Sequence, residues 1–291
     1  MMPLTLRRIS FLALAVALVV VSVGVAGQSR PQRIISLIPA VTEILFAVGA
    51  GPQVIAVSSF DEYPPEVKQL QRVGALLDPD LEKILSLRPD LVVAYGSQED
   101  LQKQLARASI PVYTYRHAGL SDVTRTIAEV GARVGHVAEA TVIITKIDAQ
   151  LAAIRARLAS APRPKTMLVF GREIGALRGI YASGGIGFLH DMLVAAGGDD
   201  VFADVKRESV QATTEVILAR KPEVILEIRS GPAELGTLDA ERALWQALSS
   251  VPAVRNGRVY FVVDPRAVVP GPRVAEATEL LARALHPGVF K

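Results

Sequence analysis

LEKILSLRPDLVV at residues 81–93 and TEVILARKPEVIL at residues 214–226 make nearly the same statement twice. Each has a glutamate at its second position (Glu82, Glu215), a Pro-acid pair eight residues after its start (Pro89-Asp90, Pro222-Glu223) and an apolar run at its end. Proline disfavours helix at the residue before it and is tolerated where a strand begins. Each stretch therefore reads as a short helix feeding a buried strand, placed equivalently in two units of similar build.

The surrounding sequence extends both units. RIISL (33–37) is a β-branched run leading through Pro39 into VTEILFAVGAG, whose apolar residues recur at helical spacing and whose Gly49 and Gly51 supply a stop. QVIAV (53–57), PDLVVAY (89–95) and PVYTY (111–115) are further strands, with a helix at 98–108 between the last two. The second half repeats the scheme with strands at KTMLVF (165–170), PEVILEI (222–228) and RVYFVV (258–263), and helices at GFLHDMLVAAGG and around 240–248. Strands alternating with helices predict an α/β fold, with a mainly parallel sheet in each lobe.

Between the lobes, residues 136–160 contain no glycine or proline, and Ile143, Ile147, Leu151, Ile154 and Leu158 fall on one helical face. At 1.5 Å per residue this helix runs to about 35 Å, a rigid rod in place of a flexible hinge. The expected organisation is a first lobe over 31–135, the connecting helix over 136–160 and a second lobe over 161–291.

The chain opens with MMPLTLRRISFLALAVALVVVSVGVAGQSR, in which two arginines precede an apolar run and then small residues. That layout predicts a signal peptide over 1–27, cleaved near Gly27, and hence export to the periplasm. The alternative is an uncleaved anchor over Ile9 to Ala26, which would leave the protein on the inner membrane as a tethered carrier, a sensor or a scaffold. No other segment is apolar and long enough to span a bilayer. With no cysteine there is neither a disulfide framework nor a lipid-modified N-terminal Cys, so stability must come from core size. Without the first 27 residues, 30 basic residues face 29 acidic ones, which gives no electrostatic footprint for nucleic acid.

Enzymatic signatures fail. The chain has no G-x-S-x-G elbow, no P-loop and no H-E-x-x-H. SGGIG (183–187) opens a helix and could receive an anion on its backbone N–H groups, but glycine-rich turns of this kind are common without any ligand. His117, His136, His190 and His286 show no short ligand spacing, so no metal site is expected; His117 stands apart because it follows the strand PVYTY.

Ligands of open α/β sheets gather at the carboxyl ends of the strands. Those ends supply Pro39, Phe60, Tyr63, Tyr95, Gly96 and Arg116 from the first lobe. The second lobe supplies Arg172, Tyr181, Ser183, Arg229, Asp264 and Arg266. Aromatic faces with charged tips predict a large ligand, partly apolar and partly polar.

RIISLIPAVTEILFAVGAG, VIAVSSFDEYPPEVKQLQRVG and DLEKILSLRPDLVVAYG resemble the periplasmic substrate-binding proteins of ABC importers for cobalamin, ferric siderophores and haem. The likeness continues through TTEVILARKPEVILE and GPRVAEATELLARALHP, and so covers essentially the whole mature chain. It implies the class III periplasmic binding protein fold, two Rossmann-like lobes joined by one long rigid helix. It also implies a monomeric carrier with no cofactor and no catalytic residue. The element Asp61-Glu62-Tyr63-Pro64-Pro65 looks most like the cobalamin binders, which places Phe60 and Tyr95 against a corrin ring and Asp264 as a polar contact from the other lobe. Such binders tend to have tryptophan-rich clefts, whereas this chain has Trp245 alone. The resemblance further implies that Glu82 and Glu215 dock on arginines of a two-fold symmetric permease. For each acid taken singly, the helix macrodipole alone would also favour a glutamate in the first turn. The expected function is capture of a corrinoid (vitamin B12) and its delivery to an ABC importer. The alternatives are a ferric-siderophore or haem carrier and, from another class, a chelatase-like metalloenzyme, which would want cysteine ligands or a catalytic histidine pair.

Overall fold

The computed structural model describes residues 30–116, 119–231 and 235–290. The expected signal peptide and His117 lie outside them. The first lobe runs β1 (Ile34–Ser36), α1 (Pro39–Ala47), β2 (Val54–Val57), β3 (Gln71–Arg72), α2 (Leu81–Ser86), β4 (Leu91–Tyr95), α3 (Glu99–Arg107), β5 (Val112–Tyr115) and α4 (Leu120–Val134). Its five strands are all parallel, in the order β3-β2-β1-β4-β5. The order reverses between β1 and β4, and a crevice opens above the carboxyl ends there.

A single helix, α5 (Val137–Arg157), leads to the second lobe. It is shorter than the expected 136–160 because Leu158 already caps it. Ala140, Ile147, Leu151 and Ile154 form its buried face, which packs on α4 and on the last helix of the chain. Gly131 of α4 lets the helices touch, since a Cβ there would lie 2.5 Å from the Ala140 Cβ.

The second lobe contains β6 (Lys165–Gly171), β7 (Tyr181–Ser183), α6 (Phe188–Ala195), β8 (Asp199–Asp200), β9 (Ser209–Gln211) and α7 (Thr214–Arg220). It ends with β10 (Val224–Arg229), α8 (Leu235–Leu244), α9 (Pro252–Arg255), β11 (Val259–Val263) and α10 (Val274–Leu285). The helix expected around 240–248 starts earlier and tightens to a 3-10 turn at Trp245–Leu248. The sheet order is β11-β10-β6-β7-β9, with β8 also beside β6. Here the two lobes differ more than the sequence repeat implies, because β7 runs antiparallel to β6 and β9. Residues 172–180 are too few for the crossover helix that a parallel return requires, so the chain simply turns back.

The repeat itself is structural. From Asp80 to Leu91 and from Thr213 to Val224, buried, intermediate and exposed positions follow one another identically. The Asp80 carboxylate accepts from the Lys83 N–H and the Thr213 hydroxyl from the Val216 N–H, so both helices carry an N-cap. Asp90 and Arg33 exchange backbone and carboxylate hydrogen bonds at the start of β1, and Glu223 and Lys165 do the same at the start of β6. The acid after each proline thus clamps the neighbouring central strand.

Successive strand residues face opposite sides of each sheet. Ile34 and Leu168 enter one continuous core that runs through Ile147 and Leu151 of α5 and so joins the lobes. Ile35 with Val92, and Met167 with Trp245, lie in separate clusters on the outer faces.

Candidate functional site

The carboxyl ends of both sheets face a cleft on the side away from α5. Its floor is a cavity of about 330 Å³ lined by Pro39, Ala40, Leu76, Tyr95 and Tyr115 of the first lobe and Val268, Val269 and Pro270 of the second. Tyr95 and Tyr115 meet edge to face, with centroids 5.9 Å apart. Beside β6 and β10 lies a second hollow of about 420 Å³, lined by Phe170, Arg172, Ile174, Ile228 and Arg229.

The rims are apolar. Phe60 is 73% exposed, Leu77 93% and Ile174 84%, while Tyr63, Leu76, Tyr181 and Val268 are also open to solvent. Each follows the carboxyl end of a strand except Tyr181, which opens the antiparallel β7 and pairs with Gly171 at the end of β6. Exposed apolar side chains on both lips of a cleft mark a binding surface.

Asp61 explains how the first lip is built. Its side chain points inward and is 1% exposed, and its carboxylate accepts from the Ser58 N–H at 2.9 Å and from the Ser58 hydroxyl. Arg72 donates to the Ser58 and Asp61 carbonyls at 2.8 and 2.7 Å. With the turn anchored from beneath, Phe60 and Tyr63 project outward. Desolvation raises the Asp61 carboxyl above its ordinary value, against the hydrogen bonds from Ser58. The Tyr63–Pro64 peptide is cis.

Charged residues of the second lobe are tied to one another. Arg172, 1% exposed, donates to Glu227 at 3.0 Å and pairs with Glu241 at 2.6 Å. Arg229 donates to Glu227 at 2.6 Å and to Glu241 at 3.0 Å, and its guanidinium lies over the Phe261 ring. Burial works to raise the Glu241 carboxyl, but hydrogen bonds from Arg229 and the Gly175 N–H hold it low. Arg266 is spent in the same way on Asp264 and Glu276, and its hydrogen bonds hold Asp264 below the usual carboxylate range.

These ties correct several expectations. Arg172 is a buried strut rather than a charged tip. Ser183 is wholly buried, because the carboxyl end of the antiparallel β7 points away from the cleft. Asp264 and Arg266 pair with each other, yet both keep partial exposure, as Arg229 does. Gly96 gives its N–H to the Tyr115 carbonyl. Trp245 is buried, donating weakly to Glu227, and forms no part of the cleft wall. In SGGIG, the Gly184 and Gly185 N–H groups are taken by the Glu208 and Val205 carbonyls, so no anion cradle exists there. Among the described residues no cluster of His, Cys, Asp and Glu could hold a metal, and no helix is long and apolar enough to cross a membrane.

Sequence reasoning passed over the apolar lips at Leu76-Leu77, Ile174 and Val268. It also passed over a salt bridge between lobes: Arg273 donates to Glu43 at 2.6 and 2.8 Å, with its guanidinium 3.8 Å from the Tyr63 ring centroid. One signal was available, since Glu43 is the lone acid in the apolar helix PAVTEILFA.

Comparison with known proteins adds independent findings. The sequence model of a family described as "Periplasmic binding protein" matches residues 34–265. An uncharacterized ABC transporter substrate-binding lipoprotein, YvrC of Bacillus subtilis, is 33% identical over 270 residues, covering 91% of this chain and 83% of its own. A vitamin B12-binding protein of Pectobacterium carotovorum is 28% identical over 270 residues, covering 90% and 92%. Among solved structures, the periplasmic haem-binding protein RhuT of Roseiflexus superposes with a TM-score of 0.75 at 27% identity, covering 89% of this chain and 99% of that one.

Proposed function

The chain belongs to the periplasmic binding protein family and is a substrate-binding protein of an ABC importer, not an enzyme; on that basis we propose that its transport ligand is a corrinoid. The observation that carries this reading is the cleft itself. Two apolar, aromatic lips face each other over a floor of Pro39, Tyr95 and Tyr115, and the Asp61 anchor presents Phe60 and Tyr63 as flat walls. A planar macrocycle stacks on such faces, and Arg229 and Ser230 at the far edge can meet its polar side chains. A relative named as a vitamin B12-binding protein supports the choice.

A haem or ferric-siderophore ligand is the second reading, supported by the similarity to a haem-binding protein. The site offers less to a haem iron that needs an axial ligand. Burial and the neighbouring Asp61 push the Tyr95 hydroxyl up, which disfavours the tyrosinate an iron would bind. A corrinoid brings its own metal ligands and asks only for surfaces and hydrogen bonds.

The delivery function assigns Glu82 and Glu215 to the permease. Both are exposed, occupy the same turn of the two N-capped helices and have an exposed leucine three residues on, Leu85 and Leu218 at 38% and 39%. A partner with two-fold symmetry would meet the same pair of groups from each lobe. Export to the periplasm belongs to the same proposal, supported by the signal-like layout of residues 1–27.

Calorimetric titration with cyanocobalamin and cobinamide, beside hemin and a ferric siderophore, tests the ligand. Heat with a negative heat-capacity change is expected for the corrinoids. Silence with both, alongside saturable binding of hemin or the siderophore, would transfer the assignment to the second reading.

A further inference from the structure

The lobes are joined by α5, and they also meet at the floor of the cleft. The segment Val268–Arg273 lies across α1 so closely that a Cβ on Gly271 would sit 3.4 Å from the Glu43 carboxylate and 3.6 Å from the Ala40 carbonyl. Ala40, Val268, Val269 and Pro270 are cleft floor. One turn below it, Glu43 and Arg273, 230 residues apart in the chain, form a two-pronged ion pair. The carboxylate is buried, and the guanidinium is largely covered.

Arg273 holds two things at once. The edge of its planar head grips Glu43, and its face lies against the Tyr63 ring, which remains 44% exposed on the first lip. We propose that Arg273 is a positioning residue for the ligand, setting the spacing of the two lobes at the cleft floor through Glu43 and holding Tyr63 as a preformed wall. The proposal rests on the cleft being the ligand site.

Physical chemistry favours this role over one in stability. A buried ion pair returns little net stability once desolvation is counted, whereas a bidentate Arg–carboxylate pair imposes a distance and an orientation. Lysine could supply the charge but neither the fork nor the flat face. A wall fixed in advance also spares the ligand the entropy of ordering it.

The absence of cysteine allows a clean test. Nitroxide labels at Asp100→Cys on α3 and Asp239→Cys on α8, both exposed helix positions, report the distance between the lobes without ligand. The parent protein should give one narrow distribution, and Arg273→Lys and Glu43→Gln should at least double its width. Tyr63→Leu should leave the distribution narrow. In unlabelled protein, Arg273→Lys and Tyr63→Leu should each weaken cyanocobalamin binding about tenfold or more, as expected when a wall must be ordered on binding. Should Glu43→Gln fail to fold by circular dichroism, Arg273→Lys, which keeps a cation beside Glu43, decides alone. An unchanged width in folded Arg273→Lys overturns the proposal whatever the ligand. If the parent protein ignores cyanocobalamin, the corrinoid reading has failed; the label distances still decide the spacing role, and hemin titration then decides the wall.

Discussion

Arg88 and Lys221 share a backbone conformation that side chains rarely adopt, with φ of 46° and 50°, each just past a short helix and just before a proline. The left-handed turn lets α2 and α7 stop abruptly and aims Asp90 and Glu223 at the strands they clamp. A β-branched residue fits that conformation poorly, so Arg88→Val or Lys221→Val should each cost about 1–2 kcal/mol in urea unfolding. Glycine should come out near neutral, because the strain it relieves is offset by a looser unfolded chain. Equal stability of the valine and glycine variants would contradict this account.

The reach of sequence reasoning follows from sequence separation. Helix, proline and acid in the repeat lie within a dozen residues, so their periodicity declares the motif, and a glycine-free apolar face declares α5. The reversal at β7 rests on what residues 172–180 lack, a helical pattern, which is a weaker signal than a pattern present. Glu227 sits inside an apolar strand and reads as a strand residue; that it is the centre of an ion network depends on Arg172 and Glu241, brought in by other elements. Asp61 was visible as part of a motif, but its inward direction comes from Ser58 and Arg72 around it. The tie from Glu43 to Arg273 spans nearly the whole chain; the lone acid of α1 hints at a partner, but no local pattern says which.

The network beneath the second lip should be intolerant of single truncations. Arg172→Met leaves Glu227 and Glu241 buried with Arg229 as their remaining cation, and should cost roughly 3–5 kcal/mol in urea unfolding. Adding Glu227→Leu should recover part of that loss, because the uncompensated charge goes with it. A double variant as unstable as the sum of its singles would mean that the groups act by packing alone.

Asp61 carries a signed pH dependence. Its carboxyl is raised in the folded protein, chiefly by desolvation, so the folded state binds its proton more tightly than the unfolded chain does. The resulting stabilisation is fully present below the unfolded value near 3.8 and is lost as pH rises through the higher folded value. Asp61→Asn keeps an acceptor for the Ser58 N–H and carries no charge. Its melting temperature relative to the parent should therefore rise as pH climbs from about 4 through the higher folded value, and then level off. A difference that stays constant across that range would place the charge of Asp61 in water in both states.

Glu82 and Glu215 close the argument that the repeat began. The Thr213 hydroxyl and the start of α7 hold the Glu215 carboxyl below its ordinary value, so it is ionised at neutral pH. Both acids are exposed in the first turns of α2 and α7, and neither forms part of the floor or the lips. Replacing either by alanine should leave cyanocobalamin affinity and melting temperature unchanged within error. Charges that engage a partner act on encounter and register, so each single variant should slow uptake into cells or proteoliposomes at limiting ligand, and the double variant should slow it about tenfold or more. Glu82→Lys with Glu215→Lys should go further, since like charges against a basic partner suppress the encounter altogether. Loss of ligand binding in either alanine variant would make these cleft residues. Normal uptake by the double alanine variant would reduce them to helix-end acids, and the matched leucines beside them to surface chance.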